Sequence, residues 1–133
     1  MTEKEYTEFC TLAEDNRLLQ SLTVAELEDL STHFTARAFA KGTIIVREHA
    51  YMESGFYIIA SGWVKVVSFG EEGGEQIYTV LTRHDFFGEM SLLEDKPTSA
   101  AVVAKTDCVI FALERKYFFT ILKKYPKFTI ELL

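Results

Sequence analysis

The chain has 133 residues, of which 48% are hydrophobic and 26% charged, a balance that is typical of a globular protein and not of a disordered one, and that fits one domain with a single hydrophobic core. Its 20 acidic and 14 basic side chains give a formal net charge of -6, so its surface does not by itself attract nucleic acid. No apolar stretch approaches the roughly 20 residues that span a bilayer, and the polar start from Met1 to Glu8 does not resemble a signal peptide, so we expect a cytoplasmic protein.

Helical periodicity covers the start of the chain, up to Phe34. Residues 5–19 predict a helix in two pieces, because Asp15-Asn16 favours a break and a cap. A further helix is predicted after Thr23, whose hydroxyl can accept the N–H of Glu26 while the Glu26 carboxylate reaches back, which forms a capping box. Apolar residues recur behind this box at helical spacing: Val24, Leu27, Leu30 and Phe34.

From Thr35 the chain changes to short β-rich runs separated by turn residues. The turn signals are Lys41-Gly42, Ser61-Gly62 and Gly73-Gly74, and Glu71–Glu75 is predicted to be a solvated turn. Strands are predicted near residues 35–39, 43–46, 55–60, 63–69, 75–81, 100–104 and 108–113. Strands of this number and spacing imply a sandwich or a barrel without deciding between them.

The end of the chain returns to helical spacing. One helix face is formed by residues at i, i+3, i+4 and i+7, namely Phe118, Ile121, Leu122 and Tyr125. Lys123 and Lys124 suit the last turn, where cations interact favourably with the helix dipole. Pro126 permits a new helix to begin, in which Phe128 and Leu132 share a face.

Residues 85–101 carry the side chains that indicate a binding site. Gly88 lacks a Cβ, so the backbone there can approach a ligand closely. The carboxylate of Glu89 can accept hydrogen bonds from sugar hydroxyls. Simple turn geometry is the alternative interpretation of Gly88, and a surface acid or a partner for a basic residue is the alternative for Glu89.

A short helical turn is predicted next, from Met90 to Glu94, and Pro97 is expected to end it. The leading N–H groups of such a turn have no intrahelical partners, so they form a site for an anion. Thr98 and Ser99 offer hydroxyl groups beside this turn, although Ser91 and Ser99 are equally interpretable as caps.

Residues 87–93, Phe-Gly-Glu-Met-Ser-Leu-Leu, together with Ser99-Ala100, resemble the phosphate-binding cassette of the cyclic-nucleotide-binding domain family. This family includes the catabolite activator protein, protein kinase A regulatory subunits and gated ion channels. Residues 57–66 are similar to its central hairpin, residues 102–118 to its final strands and hinge-helix entry, and Phe39, Gly42 and Ile44 to its opening strand pair. The resemblance therefore covers the chain from about Leu18 to the end.

The resemblance implies a mainly β fold, a double-stranded β-roll (jelly roll) with flanking helices, as a single domain. Its parts are expected at residues 1–34 for the N-terminal helices, 35–113 for the roll with the cassette at 86–100, and 114–133 for the C-terminal helices. In the family, the turn after the second strand usually carries a glycine at the position where this chain has His49. A glycine in such a turn suggests a positive φ at that residue.

One departure from the family concerns charge. The family places an arginine directly after the cassette proline to pair with the cyclic phosphate, and here that position is Thr98. A phosphate buried without a cation is costly, and helix N–H groups and hydroxyls offset only part of this cost. Lys96 and Arg83 are the nearby basic residues, but a flexible ammonium does not replace a bidentate guanidinium. Either the pocket takes an altered ligand or binds cyclic nucleotide weakly, or it is empty.

The expected function is a ligand-sensing domain of a Crp/Fnr-type transcriptional regulator, with cAMP or a related nucleotide as the possible allosteric ligand. Gly88 and Glu89 are expected to contact the sugar, the N–H groups of Met90 and Ser91 the anion, and Thr98 and Ser99 the remaining oxygens. A homodimer through the C-terminal helix is a possible assembly. Because the surface of this chain is acidic, we expect DNA binding only if a further C-terminal domain, absent from this sequence, exists.

Two alternatives compete with ligand sensing. The first is a degenerate, ligand-free scaffold or protein-interaction domain, favoured by the missing arginine. The second is a cupin-type metalloenzyme, which needs several His and Glu side chains around one metal. The histidines of this chain, His33, His49 and His84, are scattered and form no His-x-His pair, and Cys10 and Cys108 are far apart. We therefore expect no metal site, no catalytic residues and no enzyme activity.

Overall fold

The computed structural model describes residues 1–51, 55–70 and 72–133, and within them two four-stranded antiparallel sheets form the domain. The helices are α1 Glu3–Asp15, α2 Val24–Ser31, α3 Glu89–Glu94, α4 Arg115–Lys124 and α5 Pro126–Leu132. The strands are β1 Phe34–Phe39, β2 Ile44–Val46, β3 Gly55–Ser61, β4 Val64–Phe69, β5 Glu75–Leu81, β6 Phe86–Phe87, β7 Ala101–Ala104 and β8 Cys108–Glu114. The sheet orders are β1-β8-β3-β6 and β2-β7-β4-β5, so the mainly β, two-sheet roll with flanking helices that the sequence predicts is confirmed.

Strand β3 separates two apolar clusters because successive side chains of a strand point to opposite faces. Phe56 and Ile58 belong to a large cluster with the helices, whereas Tyr57 and Ile59 belong to the cluster between the two sheets. Strand β8 alternates in the same way. Both strands are therefore almost continuous apolar runs, as expected for strands that are buried on both faces.

Phe56 is the centre of the helix-side cluster and is fully buried. Its ring centroid lies 6.5 Å from that of Phe34, 5.6 Å from Phe86, 5.7 Å from Phe118 and 5.9 Å from Phe128. These four rings come from β1, β6, α4 and α5. One side chain of β3 therefore packs the C-terminal helices against the strand that leads into α3.

The predicted break after α1 is confirmed, and its physical cause is the side chain of Asn16. This residue ends α1 in an extended conformation and is buried. Its Oδ1 accepts the N–H of Leu18 at 3.0 Å, and its Nδ2 donates to the carbonyl of His84 at 3.2 Å. The expected second helical piece up to Leu19 is wrong, because turn structure follows Asn16 up to residue 21.

The predicted capping box of α2 is confirmed: the Thr23 hydroxyl accepts the N–H of Glu26, and the Glu26 carboxylate accepts the N–H of Thr23. The bounds of the seven predicted strands differ from the structure by at most one residue. The sequence missed β6, a two-residue strand that pairs with Tyr57 and Ile58. Such a short strand has no periodicity of its own.

The C-terminal helices follow the sequence pattern. Phe118 and Ile121 are buried on one face of α4, Leu122 is partly buried beside them, and Tyr125 is buried directly after the helix. Lys123 and Lys124 fill the last turn of α4, and Pro126 begins α5. In the predicted solvated turn, Glu72 to Glu75 are exposed, while Glu71 lies outside the described residues. Among the helices of the described part of the chain, none has the length and apolar character that a bilayer crossing requires.

Gly88 brings the backbone before α3 against the start of β3. Its φ is +96°, in the left-handed region that favours glycine. A Cβ at this position would lie 2.1 Å from the carbonyl oxygen of Gly55, which is far inside van der Waals contact. Only glycine fits here, and this fit fixes where α3 begins.

We predict that Gly88→Ala destabilises the domain more than Gly73→Ala, its matched control. Gly73 also has a positive φ, of +79°, but a Cβ there would meet nothing within 4 Å. The control should therefore cost about 1 kcal/mol from the left-handed conformation alone, and Gly88→Ala about 3 kcal/mol, because the backbone of β3 must also shift. Urea unfolding of both variants measures the difference, and equal losses would contradict the contact with Gly55.

Candidate functional site

A cavity of about 250 Å³ lies between the two sheets beside α3. This volume is just below the range of roughly 300–1,000 Å³ typical of small-molecule pockets. Its apolar walls come from strands of both sheets: Val46, Tyr57, Val66, Leu81, Phe86, Phe87 and Val102. Its polar side contains all six residues that the sequence assigned to ligand binding: Gly88, Glu89, Met90, Ser91, Thr98 and Ser99.

One wall of the cavity is an aromatic pair that joins β3 to β6. The rings of Tyr57 and Phe87 are stacked, with centroids 4.9 Å apart and an interplanar angle of 18°. Tyr57 is buried and belongs to the cluster between the sheets. The sequence analysis missed Tyr57 as a lining residue, although the strand alternation that buries Phe56 and Ile58 on the other face was the signal for it.

Helix α3 begins with Glu89 and places Met90 and Ser91 in its first turn. The helix stops at Glu94 because Asp95 adopts a left-handed conformation with φ of 53°. The predicted end of the turn at Glu94 is therefore confirmed, but Asp95 and not Pro97 is the residue that ends it. The hydroxyl of Ser91 donates to the carbonyl of Gly88 at 3.3 Å, so this serine also braces the start of its own helix.

Glu89 is half-buried and turns a polar atom toward the protein interior. Its Oε2 is buried and has no hydrogen-bond partner among the described residues. Burial raises the pKa of this carboxyl, and a hydrogen bond from its own backbone N–H opposes that rise. A buried acceptor without a donor is costly, so a ligand hydroxyl that donates to Oε2 would remove this cost.

For Gly88 the structure gives a reason different from close ligand approach. The missing Cβ makes room for the carbonyl of Gly55, and the positive φ sets the entry to α3. The backbone of Gly88 still lines the cavity. The turn-geometry interpretation of this glycine is thus supported by the structure, and the contact with Gly55, 33 positions earlier in the chain, carried no sequence signal.

The hydroxyl of Thr98 is not available as a donor, which corrects its expected role toward phosphate oxygens. It donates its one hydrogen to the carbonyl of Arg47 at 2.5 Å and accepts the N–H of Ala50 at 2.9 Å. Two backbone hydrogen bonds, Thr98 N–H to Ala50 and His49 N–H to Thr98, complete the attachment. Thr98 is buried and anchors the loop of residues 47–50. Ser99 is exposed, and both residues line the cavity.

Neither nearby basic residue replaces the missing arginine. Arg83 donates to the carbonyl of Ala60 at 2.6 Å and lines a different depression, beside α1. Lys96 is exposed and is not part of the cavity wall. All 14 lysines and arginines of the chain belong to the described residues, and none of them lines this cavity.

A polar cluster joins the end of α3 to the start of α4. The guanidinium of Arg115 pairs with the carboxylate of Asp95 at 2.5 Å, and its Cζ lies 4.6 Å from the ring centre of Tyr51. The Tyr51 hydroxyl also donates to Asp95. Hydrogen bonds from Tyr51 and Arg115 lower the pKa of the Asp95 carboxyl. The sequence analysis did not identify this cluster, because its members come from three separate segments.

The histidines occupy separate places. His33 packs against the ring of Tyr117, His49 lies in the loop attached to Thr98, and His84 belongs to the turn before β6. His49 has a φ of 62°, the positive value that the glycine of related sequences suggested. In the described ranges, no three His, Cys, Asp or Glu side chains are grouped so that they could hold a metal ion.

Comparison with known proteins agrees with the fold and the cassette. A family model described as cyclic nucleotide-binding domain matches residues 36–125. The cAMP-dependent protein kinase regulatory subunit of Aspergillus fumigatus is 37% identical over 105 residues, which are 79% of this chain and 24% of that relative. The chain thus spans about a quarter of the length of the curated relatives that it matches.

Two solved structures have the same fold. A structure described as cAMP-bound PfPKA-R has a TM-score of 0.74 at 30% identity and covers 91% of this chain and 43% of that one. The catabolite activator protein of Thermus thermophilus has a TM-score of 0.76 at 27% identity and covers 88% of this chain and 55% of that one. The family model covers more than half of the chain, and its match includes the whole cassette. This chain therefore belongs to the cyclic nucleotide-binding domain family.

Proposed function

We propose that this chain is a regulatory domain that binds a small molecule in the cavity beside α3 and reports its presence through the C-terminal helices. One observation carries the proposal: Glu89, whose Oε2 is buried without a hydrogen-bond partner among the described residues, lines a cavity whose other walls are apolar. Few, well-placed polar groups in an apolar pocket are typical of ligand sites. The described lining contains no pairing of a nucleophile with a base, so we propose no catalytic role.

The cavity fits a ring that carries hydroxyl groups. Tyr57 and Phe87 provide apolar surface, and Glu89 provides an acceptor for a sugar hydroxyl. A structure similar to this chain is described as cAMP-bound, which supports a ligand of the nucleotide or nucleoside class here. The N–H groups of Met90 and Ser91, in the first turn of α3, are the donors that such a ligand would meet.

The ion pair of Asp95 with Arg115 provides the connection from the site to the helices. Asp95 follows α3 directly, and Arg115 is the first residue of α4. A ligand that binds one position of α3 better than another shifts the equilibrium between them, because only differential affinity moves a conformational equilibrium. We propose that a shift of α3 moves α4 through this ion pair, and that α5 moves together with α4.

The regulated partner is proposed from the relatives. Two curated relatives, from Aspergillus fumigatus and Blastocladiella emersonii, are regulatory subunits of cAMP-dependent protein kinases, which favours a protein kinase as the partner over the transcriptional apparatus expected from sequence. The likeness to the Thermus catabolite activator protein supports a second candidate function, the sensing domain of a transcriptional regulator. In that case we propose a homodimer through the C-terminal helices, where the side chain of Ile130 is exposed on α5.

Ligand binding is tested by thermal unfolding in the presence of cAMP, cGMP and nucleosides. We expect at least one of them to raise the melting temperature, because a ligand at 100 times its Kd adds about 2.7 kcal/mol. Glu89→Ala should reduce the shift, whereas the control Glu72→Ala, in an exposed turn, should not. If no compound stabilises the folded wild type, the domain is a ligand-free scaffold.

We predict that Glu89→Gln changes how stability depends on pH. Burial raises the pKa of Glu89 in the folded state, so the folded domain disfavours the ionised carboxyl and loses stability as the pH rises through that raised pKa. Glu89→Gln should remove this loss. Urea unfolding at about pH 4, just below the usual glutamate pKa of about 4.3, and at about pH 8, well above it, should show the variant gaining relative to wild type at the higher pH.

The control for this pH experiment is Glu72→Gln, since Glu72 is exposed. Its stability relative to wild type should be the same at both pH values. A Glu89→Gln variant that also keeps a constant difference from wild type would show that Glu89 is solvated in solution.

We predict that Asp95→Asn loosens α4 without unfolding the domain. Asparagine tolerates the left-handed conformation that ends α3, but it removes the charge that pairs with Arg115. Because exposed ion pairs contribute at most about 1 kcal/mol, global stability should hardly change, while amide hydrogen exchange in the first turn of α4 should become faster. The control is Glu114→Gln, which removes the nearby Lys116 pair without touching α3, and an equal effect of both variants would argue against the connection.

A further inference from the structure

We infer that the cavity selects an uncharged nucleoside-like molecule, a ring with hydroxyl donors and no phosphate, rather than a cyclic nucleotide. This inference rests on the proposed function, since it names the class of ligand for the same cavity. It follows from three features of the described lining: the absence of a cation, the direction of the Thr98 hydroxyl, and the carboxyl of Glu89.

The first feature is charge. Fourteen lysines and arginines are described and none lines the cavity, whose one acidic side chain is Glu89. Arg83 is used by the carbonyl of Ala60, and Arg115 by Asp95. A cyclic phosphate would thus bring a full negative charge to a partly enclosed, cation-free site that already holds an acid, which general electrostatics disfavours.

The second feature is the direction of a hydrogen bond. The Thr98 hydroxyl donates its hydrogen to the carbonyl of Arg47 and accepts the N–H of Ala50, so it has no hydrogen left for a ligand and only one oxygen lone pair remains unused. A lone pair repels a phosphate oxygen and accepts from an O–H or N–H group. The buried Oε2 of Glu89 is an acceptor of the same kind. Both groups therefore favour a ligand that donates hydrogen bonds.

The N–H groups at the start of α3 favour an anion, but their partial charge is smaller than the full charge of a phosphate. A helix N-terminus is equivalent to roughly half an elementary charge, and α3 has only six residues. Such donors suit a carbonyl or hydroxyl oxygen of a neutral ligand, and they do not balance the charge of a phosphate.

Isothermal titration of the chain with adenosine and guanosine, and with cAMP and cGMP, tests the inference. We expect a nucleoside to bind at least about tenfold more tightly than its own cyclic nucleotide, a difference of about 1.4 kcal/mol. Glu89→Ala should weaken the nucleoside, because it removes the acceptor in the cavity.

Ser99→Arg is the variant that isolates charge. Ser99 is exposed and lines the cavity, so an arginine there adds a cation without cutting the hydrogen bonds of Thr98. Binding of cAMP should become at least about tenfold tighter, while nucleoside binding should change little. Thr98→Arg is a second variant with the charge at the family position, and its folding is checked by thermal unfolding because it loses those hydrogen bonds. The matched control is Ser99→Gln, which is long and uncharged and should leave cAMP binding weak.

The outcomes separate the inference from the proposed function. If the wild type binds cAMP or cGMP as tightly as the nucleoside, or if the folded Ser99→Arg and Thr98→Arg variants gain no affinity for cAMP, the inference is overturned while ligand sensing stands. Nucleoside binding that survives Glu89→Ala undiminished also overturns it, because the ligand then does not use this cavity. If the folded wild type and both arginine variants bind none of the four compounds, the inference and the sensing role fall together.

Discussion

The approach of Gly88 to the carbonyl of Gly55 is the constraint on which the binding side of this domain depends. The contact leaves no room for a Cβ, and the positive φ of Gly88 turns the chain directly into α3. Glu89 is the next residue, so the position of its buried oxygen is set by a backbone contact and not by its own side-chain partners. On the other side of Gly88, Phe87 pairs with β3 and stacks on Tyr57. Cavity wall and cavity carboxyl are thus fixed by one short piece of main chain.

Strand β3 connects this site to the C-terminal helices. Tyr57 faces the cavity, while its neighbour Phe56 touches the rings of Phe118 in α4 and Phe128 in α5. Close-packed interiors transmit small displacements, because there are few voids in which side chains can relax. The ion pair between Asp95 and Arg115 is a second, polar connection between the same two regions. The site and the C-terminal helices are therefore joined by one apolar and one ionic route.

Local sequence patterns were sufficient for most helices and strands, whereas the β-roll architecture was predicted from the family resemblance of the cassette. Alternation and turn dipeptides gave the strands to within one residue, and the spacing of Phe118, Ile121 and Tyr125 gave the buried face of α4. The cassette residues, which are close in sequence, all line one cavity. What the sequence did not show were contacts between distant segments, such as Gly88 with Gly55 and Asp95 with Arg115. The hydroxyl of Thr98 belongs to the same class, because its direction depends on a loop about 50 positions away.

The attachment of Thr98 to the loop at Arg47 and Ala50 also bears on how specificity in such a domain can change during evolution. A single substitution at this position that introduces a guanidinium would at the same time remove the two hydroxyl hydrogen bonds to the loop, and only the two backbone hydrogen bonds would still hold it. A lineage that evolves recognition of an anion in this way therefore passes through a less stable intermediate, unless another contact that holds the loop arises first. Two coupled changes are harder to acquire than one, so a threonine in this role tends to preserve the ligand preference of its lineage.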